Sequence, residues 1–254
     1  MDLGVILGIV IAFVAMIAMI FLEGGDPTSL ILVPPMVLVF GATIGVSMAS
    51  TTLGDTIRAF KALPRAIMGK VPKPGEVIDQ LVGLADTARR DGLLALEKEA
   101  EKVDDPFVKL ALQNIADGTD PEELRIMLED VVDTTTRQNK SAAKFFNSMG
   151  GYAPTVGIVG TVISLTHVLE NLSDPSSLGH SIAAAFVATF WGLVTANFFW
   201  LPLGGRLTKL AELDAERMTL IMEGALAVQS GGQPRIVGER LRAMVPAHAL
   251  PEAA

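Results

Sequence analysis

Small and hydroxyl-bearing residues recur at spacings of three and four along two apolar segments of this chain. The first segment carries Pro154, Gly157, Thr161 and Ser164, and the second carries Ala185, Ala188, Thr189, Gly192, Thr195 and Ala196. That spacing places each set on one face of a helix. Hydroxyl and carbonyl oxygens can replace the water around a passing cation. The two stripes therefore suit an ion pathway, and they are equally typical of close packing between two helices.

Ionisable side chains are missing from the middle of both segments, because no Asp, Glu, Lys, Arg or His occurs in 145–166 or 181–205. A pump or carrier usually holds such a group within the bilayer. If this chain conducts ions, the carboxylate that titrates or coordinates them must come from another subunit. His167, Glu170 and His180 lie near the outer ends of the segments, where they are interpreted most simply as groups that meet water or headgroups.

The sequence indicates no other chemistry. It contains no phosphate-binding loop, no nucleophile paired with a base, no cluster of metal ligands and no cysteine, so we expect neither an enzyme nor a cofactor. The formal net charge of −8 argues against a nucleic-acid partner. A chain that is 50% hydrophobic, with a mean hydropathy of +0.45, is too apolar for an ordinary soluble domain.

Four apolar runs qualify as membrane-spanning helices, since a span needs about 20 mostly apolar residues. They cover residues 4–22, 30–50, 152–170 and 180–202. All 20 Lys and Arg residues lie outside these runs, in 58–144 and 206–242. Basic segments stay in the cytoplasm, so we expect the insert between spans two and three and the C-terminal tail there, and the short joins outside. The first run lacks a preceding basic segment, which favours a retained span over a cleaved leader.

The predicted fold class is therefore an all-α membrane protein with four transmembrane helices and a helical cytoplasmic domain inserted between spans two and three. The predicted domains are a transmembrane hairpin at 1–52, the cytoplasmic domain at 53–150, a second hairpin at 151–203, and a cytoplasmic helix and tail at 204–254. Spans three and four carry the polar stripes, so we expect them to be inner helices and the first two spans to be outer ones. Pro34 and Pro35 should distort the outer turns of span two.

Start and stop signals divide the insert into helices. Asp105-Pro106 and Asp120-Pro121 each place a capping carboxylate before a first-turn proline, and Gly118 marks a helix end between them. Residues 53–70 mix cations with apolar side chains, which suits a helix near the membrane surface. Span four should continue as a cytoplasmic helix up to Gly231-Gly232.

Residues 86–99, DTARRDGLLALEKE, carry dense charge of both signs on a predicted helix–turn–helix. Most runs of this kind are solvated surface. The functional alternative is an electrostatic docking face for a protein partner, which contributes specificity and association rate more than affinity.

Four segments of the chain resemble the flagellar motor stator A subunit of the MotA/PomA family, within the MotA/TolQ/ExbB proton channel superfamily. They are Ala153–Thr161, Ala184–Pro202, Ala88–Glu97 and Leu220–Gln229. The resemblance implies an inner-membrane ring of five copies around a dimer of a B subunit of the MotB/PomB type, which supplies the channel Asp. It also implies that ion passage turns the ring and produces torque on the rotor protein FliG.

By this resemblance, Arg89, Arg90 and Glu97 correspond to the family's rotor-contact charges. Pro154 and Pro202 correspond to its two prolines of conformational coupling. Position 98, often acidic in sodium-type relatives, is a lysine here, so the resemblance does not define the details of the rotor contact.

The ion-pathway positions implied by the resemblance are Thr161, Ala188 and Thr189. Sodium-type relatives carry three hydroxyls there and this chain carries two, so H⁺ is the expected ion and Na⁺ the open alternative. Two other functions stay open. One is an ExbB/TolQ-like subunit that energises outer-membrane processes, although that type typically has three spans, and the other is a membrane scaffold that moves no ion.

Overall fold

The computed structural model describes residues 3–172 and 175–250, and within them all the regular structure is helical. The α-helices are, in chain order, α1 (Leu3–Leu22), α2 (Val33–Ala49), α3 (Leu53–Lys61), α4 (Leu63–Met68), α5 (Pro74–Asp91), α6 (Leu96–Lys102), α7 (Pro106–Ala116), α8 (Pro121–Glu170), α9 (Pro175–Val194), α10 (Leu201–Gln229) and α11 (Pro234–Ala243). The predicted all-α class is confirmed.

Two helical stretches, 121–170 and 178–229, are long and apolar enough to cross a membrane. The first two helices contribute shorter apolar stretches, at 6–22 and 33–49. The crossing of the membrane by four helices therefore remains a prediction at this stage.

The chain folds into two compact units. The first comprises residues 1–70 and 139–209, and the second comprises residues 71–138 and 210–254. Helices α8 and α10 contribute residues to both units. These limits follow internal packing, whereas the domain limits drawn from the sequence after residues 52, 150 and 203 refer to the membrane and stay a prediction.

Aromatic side chains join the helices of the first unit. The indole N–H of Trp191, on α9, donates to the carbonyl of Leu30 at 2.7 Å and so ties α9 to the turn that precedes α2. Phe146 of α8 is fully buried. It stacks on Trp200 with an interplanar angle of 14° and meets Phe60 of α3 nearly edge to face.

The paired prolines of the second apolar run begin a helix, and the predicted distortion was wrong. Helix α2 starts at Val33, so Pro34 and Pro35 occupy its first turn. The N–H groups of a first turn have no partner within the helix, so proline loses no hydrogen bond there and its fixed φ suits the helix. The preceding 3₁₀ turn is capped by Asp26, whose carboxylate accepts from the Thr28 N–H at 2.9 Å.

The helix signals read from the insert are confirmed in the second unit. The Asp105 carboxylate accepts from two backbone N–H groups at the start of α7, and that of Asp120 does the same at the start of α8. Gly118 adopts a φ of +76° between these helices, and Gly231 adopts +74° just beyond α10. The expected continuation of the fourth apolar run to the glycine pair is therefore correct.

One carboxylate connects three helices of the second unit. Glu223 of α10 accepts from Arg125 of α8 at 2.9 Å and from Arg240 of α11 at 2.6 Å. The hydrogen bond and the charge of Glu223 raise the pKa of Arg125 above its ordinary value. The core that these helices enclose includes Ile78, Leu112, Leu124, Ile221 and Leu241.

Candidate functional site

Helices α8 and α9 approach each other closely where two glycines meet. A Cβ atom placed on Gly157 would lie 2.9 Å from the carbonyl oxygen of Ala188 and 3.2 Å from the Cα of Gly192. One placed on Gly192 would lie 2.7 Å from the carbonyl oxygen of Ala153. All of these neighbours are backbone atoms. The helices are therefore in main-chain contact, which small residues permit in membrane helices.

Two threonine hydroxyls meet at the same crossing. The Oγ1 of Thr161 lies 2.5 Å from the Oγ1 of Thr189, 2.9 Å from the carbonyl oxygen of Ala185 and 3.1 Å from that of Gly157. A hydroxyl has one proton and two lone pairs, so Thr161 donates to one of these oxygens at a time. Four oxygens thus form a cluster shared by both helices. Thr161 bonds across to α9 as well as along its own helix, so an interpretation by local back-bonding alone is incomplete.

The third predicted position of the ion pathway contributes no side-chain oxygen. Ala188 is fully buried, and a Cβ placed on Gly160 would lie 2.8 Å from its methyl group. The structure therefore brings Thr161, Ala188 and Thr189 together at one helix crossing, with two hydroxyl groups and one methyl group at the three positions.

The two predicted coupling prolines belong to turns that touch each other. Pro154 lies inside α8, where its missing N–H leaves the carbonyl of Gly150 without its α-helical donor. A Cβ placed on Gly150 would lie 2.4 Å from the side chain of Leu201 and 3.4 Å from its backbone nitrogen. Leu201 directly precedes Pro202. Both prolines therefore border the contact between α8 and the start of α10.

A π-helical segment, Thr195–Trp200, lies between α9 and α10, and sequence analysis missed it. The N–H of Leu201 donates to the carbonyl of Ala196, five residues back. In a regular α-helix the ring of Pro202 would clash with the carbonyl four residues before it, and the wider turn relieves that clash. Such segments are frequent at functional sites. A proline within an apolar helical run was the available signal.

The predicted rotor-contact residues lie on the surface of the second unit. Arg89 and Arg90 are exposed near the end of α5, and Glu97 is exposed at the start of α6. Arg90 pairs with Asp86 at 3.4 Å and with Asp91 at 3.3 Å, whereas Arg89 and Glu97 form no ion pair with any residue that the structure describes. Exposed pairs stabilise a fold by about 0–1 kcal/mol. A partner could therefore engage these charges at little cost to the fold.

Known proteins similar to this chain carry the names Motility protein A, Chemotaxis protein PomA and MotAB. A model described as the MotA/TolQ/ExbB proton channel family matches residues 99–220, and one described as Motility protein A N-terminal matches residues 6–92. Motility protein A of Treponema phagedenis is 33% identical over 95% of this chain and 93% of its own length. Chemotaxis protein PomA of Vibrio alginolyticus is 30% identical over 95% of this chain and 94% of its own length. A solved structure of C. jejuni MotAB matches with a TM-score of 0.93 and 29% identity, covering 100% of both chains.

Proposed function

This chain belongs to the MotA/TolQ/ExbB proton channel family as a flagellar motor stator subunit, and from that premise we propose which of its residues pass ions and which act on the rotor. It forms its channel together with a B subunit, and it is a channel component and not an enzyme. The match of residues 6–92 to the Motility protein A N-terminal model includes both helices of the first hairpin. That match favours a stator subunit over an ExbB/TolQ-like subunit or an inert scaffold.

The proposed topology is a multi-pass protein of the inner membrane with four spans, carried by α1, α2, the C-terminal part of α8, and α9 with the π-helical segment. The insert at 53–150 and the tail at 204–254 lie in the cytoplasm. The distribution of basic residues supports this orientation, because all 20 lie in 58–144 and 206–242. Five copies of the chain surround the spans of the B subunit.

The ion pathway follows the crossing of α8 and α9. The observation that carries this proposal is the oxygen cluster around Thr161 and Thr189, set in helix segments without Asp, Glu, Lys, Arg or His between 145 and 166 or between 181 and 205. Such a cluster can pass an ion but has no group that binds a proton. The B subunit therefore supplies the titrating Asp. One charge that crosses 100 mV releases about 2.3 kcal/mol, which is several times the thermal energy and is enough to bias a conformational step.

Ion flux into liposomes tests whether this chain lines the pathway while the B subunit supplies the titrating Asp. The chain alone is expected to conduct at the background level, and the complex with the B subunit to conduct well above it. Thr161→Val should lower that flux, because it removes the hydroxyl at the centre of the cluster. Thr166→Val is the matched control, since that exposed hydroxyl bonds only to its own helix, at the Val162 carbonyl. Robust flux from the chain without its partner would overturn the proposal.

The proposed coupling ion is H⁺. Bare Na⁺ requires several oxygens to replace its water, whereas a proton requires one titrating group with water beside it. The methyl group of Ala188 supports the assignment of H⁺ as the coupling ion, because it offers no oxygen to Na⁺. The hydroxyls of Thr161 and Thr189 keep Na⁺ as the second candidate. We expect swimming speed at fixed pH to be independent of external Na⁺ and to be lost with a protonophore.

A motor whose speed rises with Na⁺ and survives the protonophore would overturn the proton assignment. In that case Ala188→Thr should raise the apparent affinity for Na⁺. In a proton motor the same substitution should not switch the ion, and it adds bulk to a fully buried site where overpacking costs about 1–3 kcal/mol.

The rotor protein FliG is the proposed partner of the charged face on α5 and α6. Reversing both charges, with Arg90→Glu and Glu97→Lys, is expected to reduce torque severely and to leave membrane insertion and complex formation intact. Each single change should be partial, because one exposed pair contributes about 0–1 kcal/mol. Torque measured on a tethered bead at low and high load, together with co-purification of the B subunit, checks this expectation.

The matched control for charge reversal is Arg235→Glu. Arg235 is an exposed arginine of the same unit, on α11, and it pairs with Glu239 at 2.5 Å much as Arg90 pairs with its neighbours. It should leave torque unchanged. If the double reversal at positions 90 and 97 swims like the parent at both loads, the rotor binds elsewhere.

A further inference from the structure

Helices α3 and α4 in the first unit present a face that neither the ion pathway nor the rotor contact uses. Its large apolar side chains are between 36% and 64% exposed, and they are Leu53, Ile57, Phe60, Ile67 and Met68. In α3 the spacing of 53, 57 and 60 places three of them on one side of the helix. A neighbouring side is buried through Thr56, Ala59 and Ala66, the alanines packing into the cluster around Phe146. The Phe60 ring, at the border between the two sides, also meets Phe146. These two helices are therefore fixed on the unit by one face and uncovered on the other.

The charges beside this apolar face are mostly positive. Residues 53–70 contain four basic side chains, Arg58, Lys61, Arg65 and Lys70, and the single acid Asp55, which gives +3 in a chain whose net charge is −8. Arg58 is 64% exposed and Lys61 is exposed. On a helical wheel both lie on the same side of the stripe formed by 53, 57 and 60, with Lys61 next to the stripe and Arg58 farther round the helix.

The one acid of this segment is engaged within the unit. The Asp55 carboxylate accepts from the Thr52 hydroxyl at 2.7 Å and from the Ser141 hydroxyl at 3.4 Å, and Arg58 lies 3.6 Å away. The hydrogen bond from Thr52 lowers the pKa of Asp55, so it remains an anion at neutral pH. Its charge is partly neutralised by Arg58. The exposed ammonium groups of Lys61 and Lys70 are available to an external anion.

The place of α3 in the chain identifies that anion. Only residues 50–52 separate the end of α2 at Ala49 from the start of α3 at Leu53. If α2 spans the membrane, α3 begins at the headgroup level of the cytoplasmic leaflet, where an apolar face with flanking cations lies flat on the surface. We infer that α3 and α4 form an in-plane lipid-binding surface selective for anionic phospholipid headgroups. The inference rests on the proposed topology only for the position of α2.

Spin labels test the depth of the surface in the complete stator complex. The chain contains no cysteine, so a single Cys at Leu53 or Ile57 can be labelled, provided that the B subunit is also cysteine-free. In phosphatidylcholine–phosphatidylglycerol vesicles we expect both labels to be relaxed several-fold more by oxygen than by a water-soluble nickel chelate. Leu94→Cys is the matched control, because Leu94 is also apolar and 70% exposed but lies in the second unit, and its label should favour the chelate.

Either of two results would overturn lipid binding. A label at Ile57 that favours the chelate as strongly as the label at Leu94 means that the face lies in water. A label shielded from both agents means that protein covers it, as would a second copy of this chain. A label at Val37, exposed in the second turn of α2, reports separately whether that helix lies in hydrocarbon, so a wrong topology is distinguished from a wrong surface.

Headgroup selectivity is tested with a fluorophore at Ile57 and brominated lipids. At equal mole fraction, brominated phosphatidylglycerol should quench the fluorophore more than brominated phosphatidylcholine, because each basic residue near an anionic surface is worth about fivefold in local binding. Arg58→Gln with Lys61→Gln should bring the ratio of the two quenching efficiencies close to one, and Arg235→Gln in the second unit should leave it unchanged. Equal quenching by both lipids in the parent chain would overturn the selectivity.

Discussion

Alanine at Gly157 or at Gly192 is expected to abolish swimming, although each change adds a single methyl group. Alanine favours a helix over glycine by up to about 1 kcal/mol. The added methyl, however, would lie 2.9 Å from the Ala188 carbonyl oxygen at position 157, and 2.7 Å from the Ala153 carbonyl oxygen at position 192. Overpacking costs about 1–3 kcal/mol, and no rotamer change can move a backbone atom out of the way. The two helices must separate, and the hydroxyl contact between them lengthens.

The matched controls for this prediction are Gly151→Ala in α8 and Gly205→Ala in α10. Beyond the backbone of its own helix turn, no atom lies within 4 Å of a Cβ placed on either glycine, so both variants should keep swimming and gain slightly in helix stability. Soft-agar motility and the melting temperature of the purified complex with the B subunit measure both effects. If the variants at 157 or 192 swim and melt like the controls, the close approach of α8 and α9 does not exist in the working motor.

Alanine at Pro202 is expected to leave ion conduction in place and to remove most of the torque. The proline ring holds the preceding turn in its wide form, and a proline inside a regular helix costs about 3 kcal/mol. Alanine would supply an N–H to the carbonyl of Phe198, four residues back, and would let Thr195–Trp200 return to a regular helix. Pro154→Ala should act in the same direction, because it restores a donor to the Gly150 carbonyl. If the helices at this contact are stiffer, the passage of an ion no longer changes their conformation.

Proton flux and bead torque must be measured on the same variants to separate coupling from conduction. Pro234→Ala is the matched control, since Pro234 lies in the first turn of α11, where the missing N–H has no helical partner. It should leave both quantities unchanged. Normal torque in both Pro154→Ala and Pro202→Ala would remove the prolines from the mechanism.

Local signals in the sequence were sufficient for much of the fold. Asp105 and Asp120 cap the helices that they were expected to cap, because an N-cap depends on a few adjacent residues. Gly118 and Gly231 end helices for an equally local reason, since both adopt a positive φ. The hydroxyl stripes also led to the correct neighbours, because the spacing that puts Thr161 on one face of α8 is a property of the helix itself.

Features that depend on two distant segments were not predictable. Nothing local to Gly157 indicates that its space is filled by the backbone around Gly192, since helix packing alone decides which glycines meet. The effect of Pro34 was misjudged because the helix was expected to start at residue 30, three residues before its actual start at Val33. A proline favours a helix when it lies in the first turn and distorts the helix when it lies in the interior. The π-helical turn before Pro202 is different, because it had a local signal that was not used: a proline inside a helix that was expected to continue to Gly231-Gly232.

The backbone contact between Gly157 and Gly192 also determines which damaged motors evolution can repair. Alanine at Gly160 would face the methyl group of Ala188 and the end of the Leu38 side chain, both of which a second substitution can shorten. Alanine at 157 or 192 would face carbonyl oxygens and Cα atoms, which no codon change removes. We therefore expect intragenic suppressors that shorten the opposing residue for position 160, and we expect a lineage that loses either glycine of the pair to regain motility only by true reversion.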